Sequence, residues 1–348
     1  MHKCPNNKLL KIYIIMNENI CVVYTHSKLG DLIWQLPYIK ALSDFHKKKI
    51  TLIVRASTQA KKILKDLDHF DTIEYNNFRK NIYYWIDTYK LYIFLKKKIF
   101  SHLYVLDKVS RPAIAAKFAK IKNIIGPGIG NQKKWLTTKT YLNKEDWKLS
   151  YSDLSQKTFS INNIPIYNFK PELKINLERD DIDKKIIENK KRVISFGIDS
   201  GEDFKMWYEE LFVELANKLY EKDLFDQIYL VCGKKNEKMA LKIINLSHKK
   251  YFVNCSDYNL LNIMSVIKKS LFFIGNNSGP LNMASALGIK SYGLISNDPV
   301  SELKYSNIIT ITPDNYIDNV WNRDRKGMKN LTVEKAYNFI IDNLKITK

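Results

Sequence analysis

Cysteine is scarce: Cys4, Cys21, Cys232 and Cys255 stand singly in 348 residues, with no C-x-x-C pair. Spacing of this kind supports neither a disulfide framework nor a thiolate metal centre and indicates a reducing compartment. Long apolar runs are also missing, since no stretch reaches the roughly 18 residues a membrane-spanning helix needs. The opening run from Leu9 to Ile15 is broken by Lys11 and followed by Asn17, Glu18 and Asn19 instead of small residues. It is a poor signal peptide, so residues 1–19 read as a tail, with Met16 as a second candidate start. No Gly/Ser-rich or Pro-rich linker and no internal repeat breaks the chain. Acidic residues are few, 36 against 57 Lys and Arg, which leaves a formal charge of +21. The surplus is uneven: residues 1–150 hold 28 basic and 11 acidic side chains, so +17 lies there and +4 in the remaining 198. With 45% hydrophobic and 12% aromatic residues, disorder is excluded.

What is present is alternation. Short β-branched or aromatic runs at 20–24, 50–54, 72–75, 103–106 and 123–126 predict strands, with helices near 32–45, 58–66, 78–98 and 111–119 between them. Strands so uniformly apolar belong to a parallel sheet covered on both faces. The rhythm lapses from about 131 to 174, where Pro165 and Pro171 mark a boundary. It restarts with strands at 192–196, 227–231, 252–253, 271–274, 291–295 and 308–311 and helices at 206–221, 235–247, 259–269, 280–287 and 332–343. The expected architecture is α/β, two doubly wound parallel-sheet domains: 20–170, 171–330, and a last helix within 331–348. In such sheets ligands sit beyond the carboxyl ends of the strands, and two domains of this kind are expected to face each other across a central cleft.

Three strand-to-helix junctions could carry chemistry. The first, Ser27-Lys28-Leu29-Gly30-Asp31 through Gln35 to Pro37, places Asp31 at or near a helix N-terminus. There a carboxylate stays ionised, either as a cap or as a general base. The second, Gly197 to Trp207, offers Ser200 and Lys205 to a phosphate. It lacks the G-x-x-x-x-G-K-[ST] of a P-loop. In the third, Gly275-Asn276-Asn277-Ser278-Gly279 turns into a helix opened by Pro280 and containing Asn282, a geometry suited to a diphosphate. Each of these junctions also occurs in proteins with no ligand there. Gly126-Pro127-Gly128-Ile129-Gly130 fails the G-x-G-x-x-G spacing and reads as a turn.

Taken together, in this order, the segments resemble glycosyltransferase family 9, the ADP-heptose:lipopolysaccharide heptosyltransferase family. The likeness runs from about Ile20 to Leu344 and rests on Gly30-Asp31-Leu32 with Leu36-Pro37, on Lys205-x-Trp207, and on Gly275-x-Asn277-Ser278-Gly279-Pro280 with its Ala-rich helix. It implies a GT-B architecture of two Rossmann-like domains, the N-terminal one for the acceptor and the C-terminal one for the donor. The implied reaction is inverting transfer without metal or cofactor, the nucleotide-sugar being a co-substrate, ADP-linked by family default. Carried over residue by residue, Asp31 is the base. Ser27, Lys28, Gly30 and Gln35 lie on the acceptor side. Ser200, Lys205, Gly275, Asn276, Asn277, Ser278, Gly279 and Asn282 lie on the donor side. Two positions depart from the family pattern: Asn277 stands where an aspartate is usual and Asn282 where a histidine is usual. A cysteine-containing segment that many relatives carry is absent between Trp321 and Asn330.

The resemblance therefore implies transfer of a sugar, heptose by default, to a hydroxyl of an anionic envelope glycan such as the lipopolysaccharide core. That places the protein in the cytoplasm, peripheral on the anionic inner face of the cytoplasmic membrane, where its basic half would have a partner. The departures at 277 and 282 keep two other readings open: a different donor sugar, or a non-catalytic domain that binds a glycan or a partner. Nucleic acid is not expected, because no recognised module or aromatic-basic stripe accompanies the charge.

Overall fold

The computed structural model describes residues 19–345 apart from 180, 305 and 319. Apart from Asn19, the expected tail lies outside the described residues. The chain divides into two compact units, one of residues up to 61 with 67–168, the other of 62–66 with 169 onward.

In the first unit, β1 (Asn19–Val23) leads through α1 (Leu29–Ile33) and α2 (Leu36–His46) to β2 (Ile50–Val54) and β3 (Phe70–Tyr75). The chain continues with α3 (Tyr83–Lys98), β4 (Phe100–Val105), α4 (Arg111–Phe118), β5 (Asn123–Ile125) and α5 (Tyr151–Ile161). The sheet is parallel, in the order β3-β2-β1-β4-β5. Val22 and Val23 of β1 and Leu52 of β2 are fully buried, each such side chain contributing about 1.5–3 kcal/mol. Leu91 and Leu95 of α3 with Ala113 and Ala116 of α4 close one hydrophobic cluster around Val23, Leu103 and Val105.

Three sequence expectations need correction here. The helix read as 32–45 is two helices, because Trp34 and Gln35 turn between them and Pro37 sits in the first turn of the second. The helix read from 78 starts at Tyr83, since Phe78 and Asn81 have left-handed backbones, φ 46° and 57°. The stretch from 131 to 174 contains α5, whose buried positions include Ser152, Ser155 and Thr158 in place of an apolar stripe.

The second unit runs β6 (Val193–Gly197), α6 (Glu209–Glu221), β7 (Gln227–Val231), α7 (Glu237–Ser247), β8 (Phe252–Asn254), α8 (Leu260–Lys269) and β9 (Phe273–Asn276). It ends with α9 (Gly279–Ala286), β10 (Ser291–Leu294), β11 (Ile308–Ile311) and α10 (Val333–Lys345). Its parallel sheet has the order β11-β10-β9-β6-β7-β8. Val333, Ala336 and Ile340 of α10 join the cluster built on Phe196, Phe212 and Ile274, so the last helix belongs to this unit.

Both sheets reverse direction beside their first strand. After β1 the chain fills one side with β2 and β3 and then crosses to β4; after β6 it fills one side with β7 and β8 and then crosses to β9. These switch points, β1/β4 and β6/β9, are where a crevice opens beyond the strand ends. At β6/β9 the strands approach unusually closely. Gly197 and Gly275 are register partners, and a Cβ on Gly275 would lie 2.7 Å from the Gly197 carbonyl oxygen and 2.8 Å from its Cα. The obstacle is backbone, which cannot swing aside. Gly275→Ala is expected to lower the melting temperature of the protein by several degrees, in line with about 1–3 kcal/mol for overpacking. Differential scanning calorimetry would check it, and an unchanged Tm would show that the two strands can separate at no cost.

Candidate functional site

At the β1/β4 switch point Lys28 occupies the N-cap of α1 and Asp31 lies within its first turn. Asp31 is therefore not the cap. Its charge reaches two rings on the segment leaving β1, holding the buried Tyr24 phenol further up and opposing the fall of the His26 imidazole. Burial is the main cause of that fall, with Arg55 and Lys108 adding to it, and Asp107 opposes it alongside Asp31. His26 packs on Tyr151, ring centroids 4.0 Å apart.

Asp107, just beyond β4, is fully buried. Burial pushes its carboxyl up, while the N–H groups of Thr25 and Val109 donate to it at 2.7 and 2.9 Å and pull it back. It thus clamps the segment after β1 to the segment after β4. Gln132 completes the clamp: its Nε2 donates to the carbonyls of Asp107 and Val109, and its Oε1 accepts from Gly128 N–H. This explains the Gly126–Gly130 segment as a turn, with Gly128 at φ +73° against the Tyr141 ring.

Cations gather on the same side. The Arg55 guanidinium donates to the carbonyls of Thr25 and Phe78. Burial, then the nearby Arg111, lowers its pKa. Arg111 is 4% exposed, lies 4.0 Å over the Tyr84 ring, and has no hydrogen-bond partner for Nε or Nη1. Asp87, bound by the Arg79 guanidinium and backbone N–H, is held below the usual carboxylate range by that arginine. A buried guanidinium with two unused donors, that of Arg111, suits an anion.

Among the residues expected on the acceptor side, Ser27 and Lys28 are exposed and Gly30 is buried within α1. Gln35 departs from the expectation. It is fully buried, its Oε1 accepts from Ser155 Oγ at 2.7 Å, and it braces α5. His26, Asp107, Arg55 and Arg111 were not singled out from sequence. Their only signal is position one to six residues beyond a strand.

At β6/β9 the donor-side residues do converge. Ser200 Oγ donates to the Asn277 carbonyl at 3.1 Å, joining the segments after β6 and β9. Lys205 is 9% exposed. Its Nζ lies 3.2 Å from Glu202 and 3.4 Å from Asp298, and 4.7 Å from the centre of the Trp321 ring. Asp298, beyond β10, is 1% exposed. Burial pushes it above the usual carboxylate range, against the pull of Lys205 and of the Asn277 amide that donates to it. The carboxylate missing at 277 in sequence is thus present in space, one strand over. Neither Asp298 nor Trp321 was marked by the motifs.

The N-terminus of α9 completes this half. Ser278 is its N-cap, and Ser278 Oγ and Asn282 Oδ1 are buried without partners. Gly279 opens the helix beside them. Asn276 and Gly275 serve the framework. The Asn276 side chain accepts from Trp207 N–H and donates to the Ile198 carbonyl, and Gly275 admits the close strand pairing described above. Trp207 is anchored at its other end by its indole N–H donating to the Leu331 carbonyl at 2.9 Å. Asp199 ties the β6 segment to the β7 segment by accepting from Gly233 N–H at 2.8 Å. Among the described residues no group of three His, Cys, Asp or Glu is disposed to hold a metal ion, and no helix is long and apolar enough to cross a membrane.

Two parallel α/β units with polar groups gathered at their switch points define a protein of the GT-B class. The model of glycosyltransferase family 9 (heptosyltransferase) matches residues 89–312, and the chain belongs to that family. The fold is similar to that of E. coli ADP-heptose lipopolysaccharide heptosyltransferase II, with a TM-score of 0.73 at 16% identity over 93% of this chain and 98% of that one. It is equally similar to a family 9 glycosyltransferase from Veillonella parvula, TM-score 0.73 at 15% identity over 92% and 96% of the two chains. A third likeness is to the E. coli heptosyltransferase WaaC solved with ADP, TM-score 0.70 at 14% identity over 93% and 99%. A comparison with curated proteins found no match.

Proposed function

We propose that this glycosyltransferase moves a sugar from a nucleotide-sugar to a hydroxyl of an anionic envelope glycan, by inversion and without a metal. The observation that carries the reading is the set of polar groups gathered at β6/β9. A nearly buried ammonium, Lys205, stands by a helix N-terminus where Ser278 Oγ has no protein partner. That combination suits a diphosphate, and Lys205 would offset the charge that builds on the departing nucleoside diphosphate. Asp31 would take the proton from the attacking hydroxyl, and Arg55 and Arg111 would meet an anionic group of the acceptor.

Heptose linked to ADP follows from the family resemblance, supported by the ADP-bound relative. Asn277 and Asn282 favour a second reading in which the sugar differs, because an amide both donates and accepts where the family pattern has a carboxylate and an imidazole. In either case Asp298, buried and held by Lys205 and the Asn277 amide, would set the charge beside the sugar without itself being exposed to it. Titration calorimetry against ADP-, UDP-, GDP- and dTDP-sugars tests the reading. One nucleotide series should bind and stabilise the protein by mass action, and mass spectrometry should then find the sugar on a truncated core glycolipid. No binding to any of the four would overturn it.

A further inference from the structure

The sheet-covering helix α3 presents an unusual outer face. Ile82, Trp85, Ile86, Tyr89 and Ile93 recur at helical spacing and are 79%, 66%, 45%, 63% and 44% exposed, and Phe118 on α4 is 64% exposed. Between the two helices lies a hollow of about 390 Å³ lined by Trp85, Thr88, Tyr89, Tyr92, Ile114 and Phe118. A contiguous apolar ridge of this kind is a contact surface. The segment that carries it is strongly basic, although Glu74 of β3 lies beside Lys90 and Phe94 on its flank. Residues 79–122 contain 11 Lys and Arg and only two acids, Asp87 and Asp107, and both acids are buried. Lys96, Lys97 and Lys98 end the helix itself.

We infer that the α3 face, with Phe118 beside it, is the surface by which the protein lies on an anionic lipid leaflet. Tryptophan and tyrosine seat at the headgroup level with their apolar bodies inward, isoleucine enters the acyl boundary, and the lysines meet lipid phosphates. The charge decides against a second copy of the chain as the occupant. A two-fold interface would bring the same cationic patch face to face with itself and with no exposed carboxylate from this segment to offset it. The inference extends the proposed envelope acceptor, since an enzyme held on the leaflet meets a lipid-anchored substrate there.

The test is sedimentation of the full chain with vesicles of phosphatidylcholine alone and of phosphatidylcholine mixed with phosphatidylglycerol. Three proteins are compared: wild type, Trp85→Ser with Tyr89→Ser, and Lys96→Gln with Lys97→Gln and Lys98→Gln. Wild type should partition to the anionic vesicles. Loss of three lysines should weaken that by on the order of 100-fold, from about a factor of five per cation, and the serine pair should weaken it even in low salt. Equal recovery of all three proteins would overturn the proposal. So would a concentration-dependent dimer, seen by light scattering, that the serine pair dissolves. Donor calorimetry on the same preparations keeps the two readings apart: failed docking with intact nucleotide-sugar binding refutes only the surface, and failed nucleotide-sugar binding with intact docking refutes only the proposed donor site.

Discussion

Asp31→Asn is expected to lower the turnover of sugar transfer by roughly 10²- to 10⁴-fold, the range for a positioned general base. Nucleotide-sugar affinity should stay within a factor of about two, because the residues proposed to hold the donor lie in the other unit. The substitution keeps the size of the side chain and removes its proton affinity. Asp31 lies in the first turn of α1, so the loss of a favourable helix-end charge costs about 0.3–1 kcal/mol of stability, too little to unfold the unit. The pattern expected is therefore a collapse of kcat with an unchanged calorimetric isotherm. The environment supports the assignment of the base to Asp31 over its neighbours. Asp107 is fully buried with a backbone N–H donating to each oxygen, and His26 packs on Tyr151. Full turnover in Asp31→Asn would transfer the role to another group.

The second large effect concerns Lys205. Lys205→Met should reduce transfer by roughly 10²- to 10³-fold, as for removal of a preorganised group facing developing negative charge, and should weaken donor binding in parallel. It should also destabilise the fold, since Asp298 at 1% exposure loses its nearest cation. Breaking a buried pair from one side costs about 3–5 kcal/mol. That penalty shrinks as pH falls, because a protonated Asp298 leaves no charge unpaired. Adding Asp298→Asn removes the stranded carboxylate and should restore most of the lost Tm without restoring transfer. If the double variant recovers both, Lys205 serves only as a counter-ion to Asp298.

Much of this was legible from the residues and some was not. Parallel strands buried on both faces are written as continuous apolar runs, so Ile50 to Val54 and Gln227 to Val231 could be read to the residue. Most helices with apolar stripes were visible too, though not the break at Trp34 and Gln35 or the start of α3 at Tyr83, and one helix escaped for another reason. The exception, α5, buries hydroxyls that bond within the unit, Ser155 to Gln35 and Thr158 to the Leu154 carbonyl, and periodicity is blind to such a face. In the candidate site, residues adjacent to glycine turns could be found from spacing. Asp107 and Asp298 could not, because what places them beside Thr25 and Lys205 is the order of strands in the sheets. That order is settled by long-range packing and leaves no local mark. Asn277 illustrates the same limit from the other side, since the carboxylate that its amide meets stands 21 positions along the chain.

The Trp207 anchor bears on how the protein is made. The lysine loop is joined to β9 through Asn276 and Asn277, 69 and 77 positions downstream of their partners, and Trp207 is held by a carbonyl 124 positions downstream. A nascent chain that has emerged only as far as β11 has every strand of its second sheet but lacks the acceptor for that indole. The polar cluster at β6/β9 is therefore completed only after Leu331 has left the ribosome and α10 can dock. Premature termination before that point would yield a strand-complete protein with an unseated lysine loop.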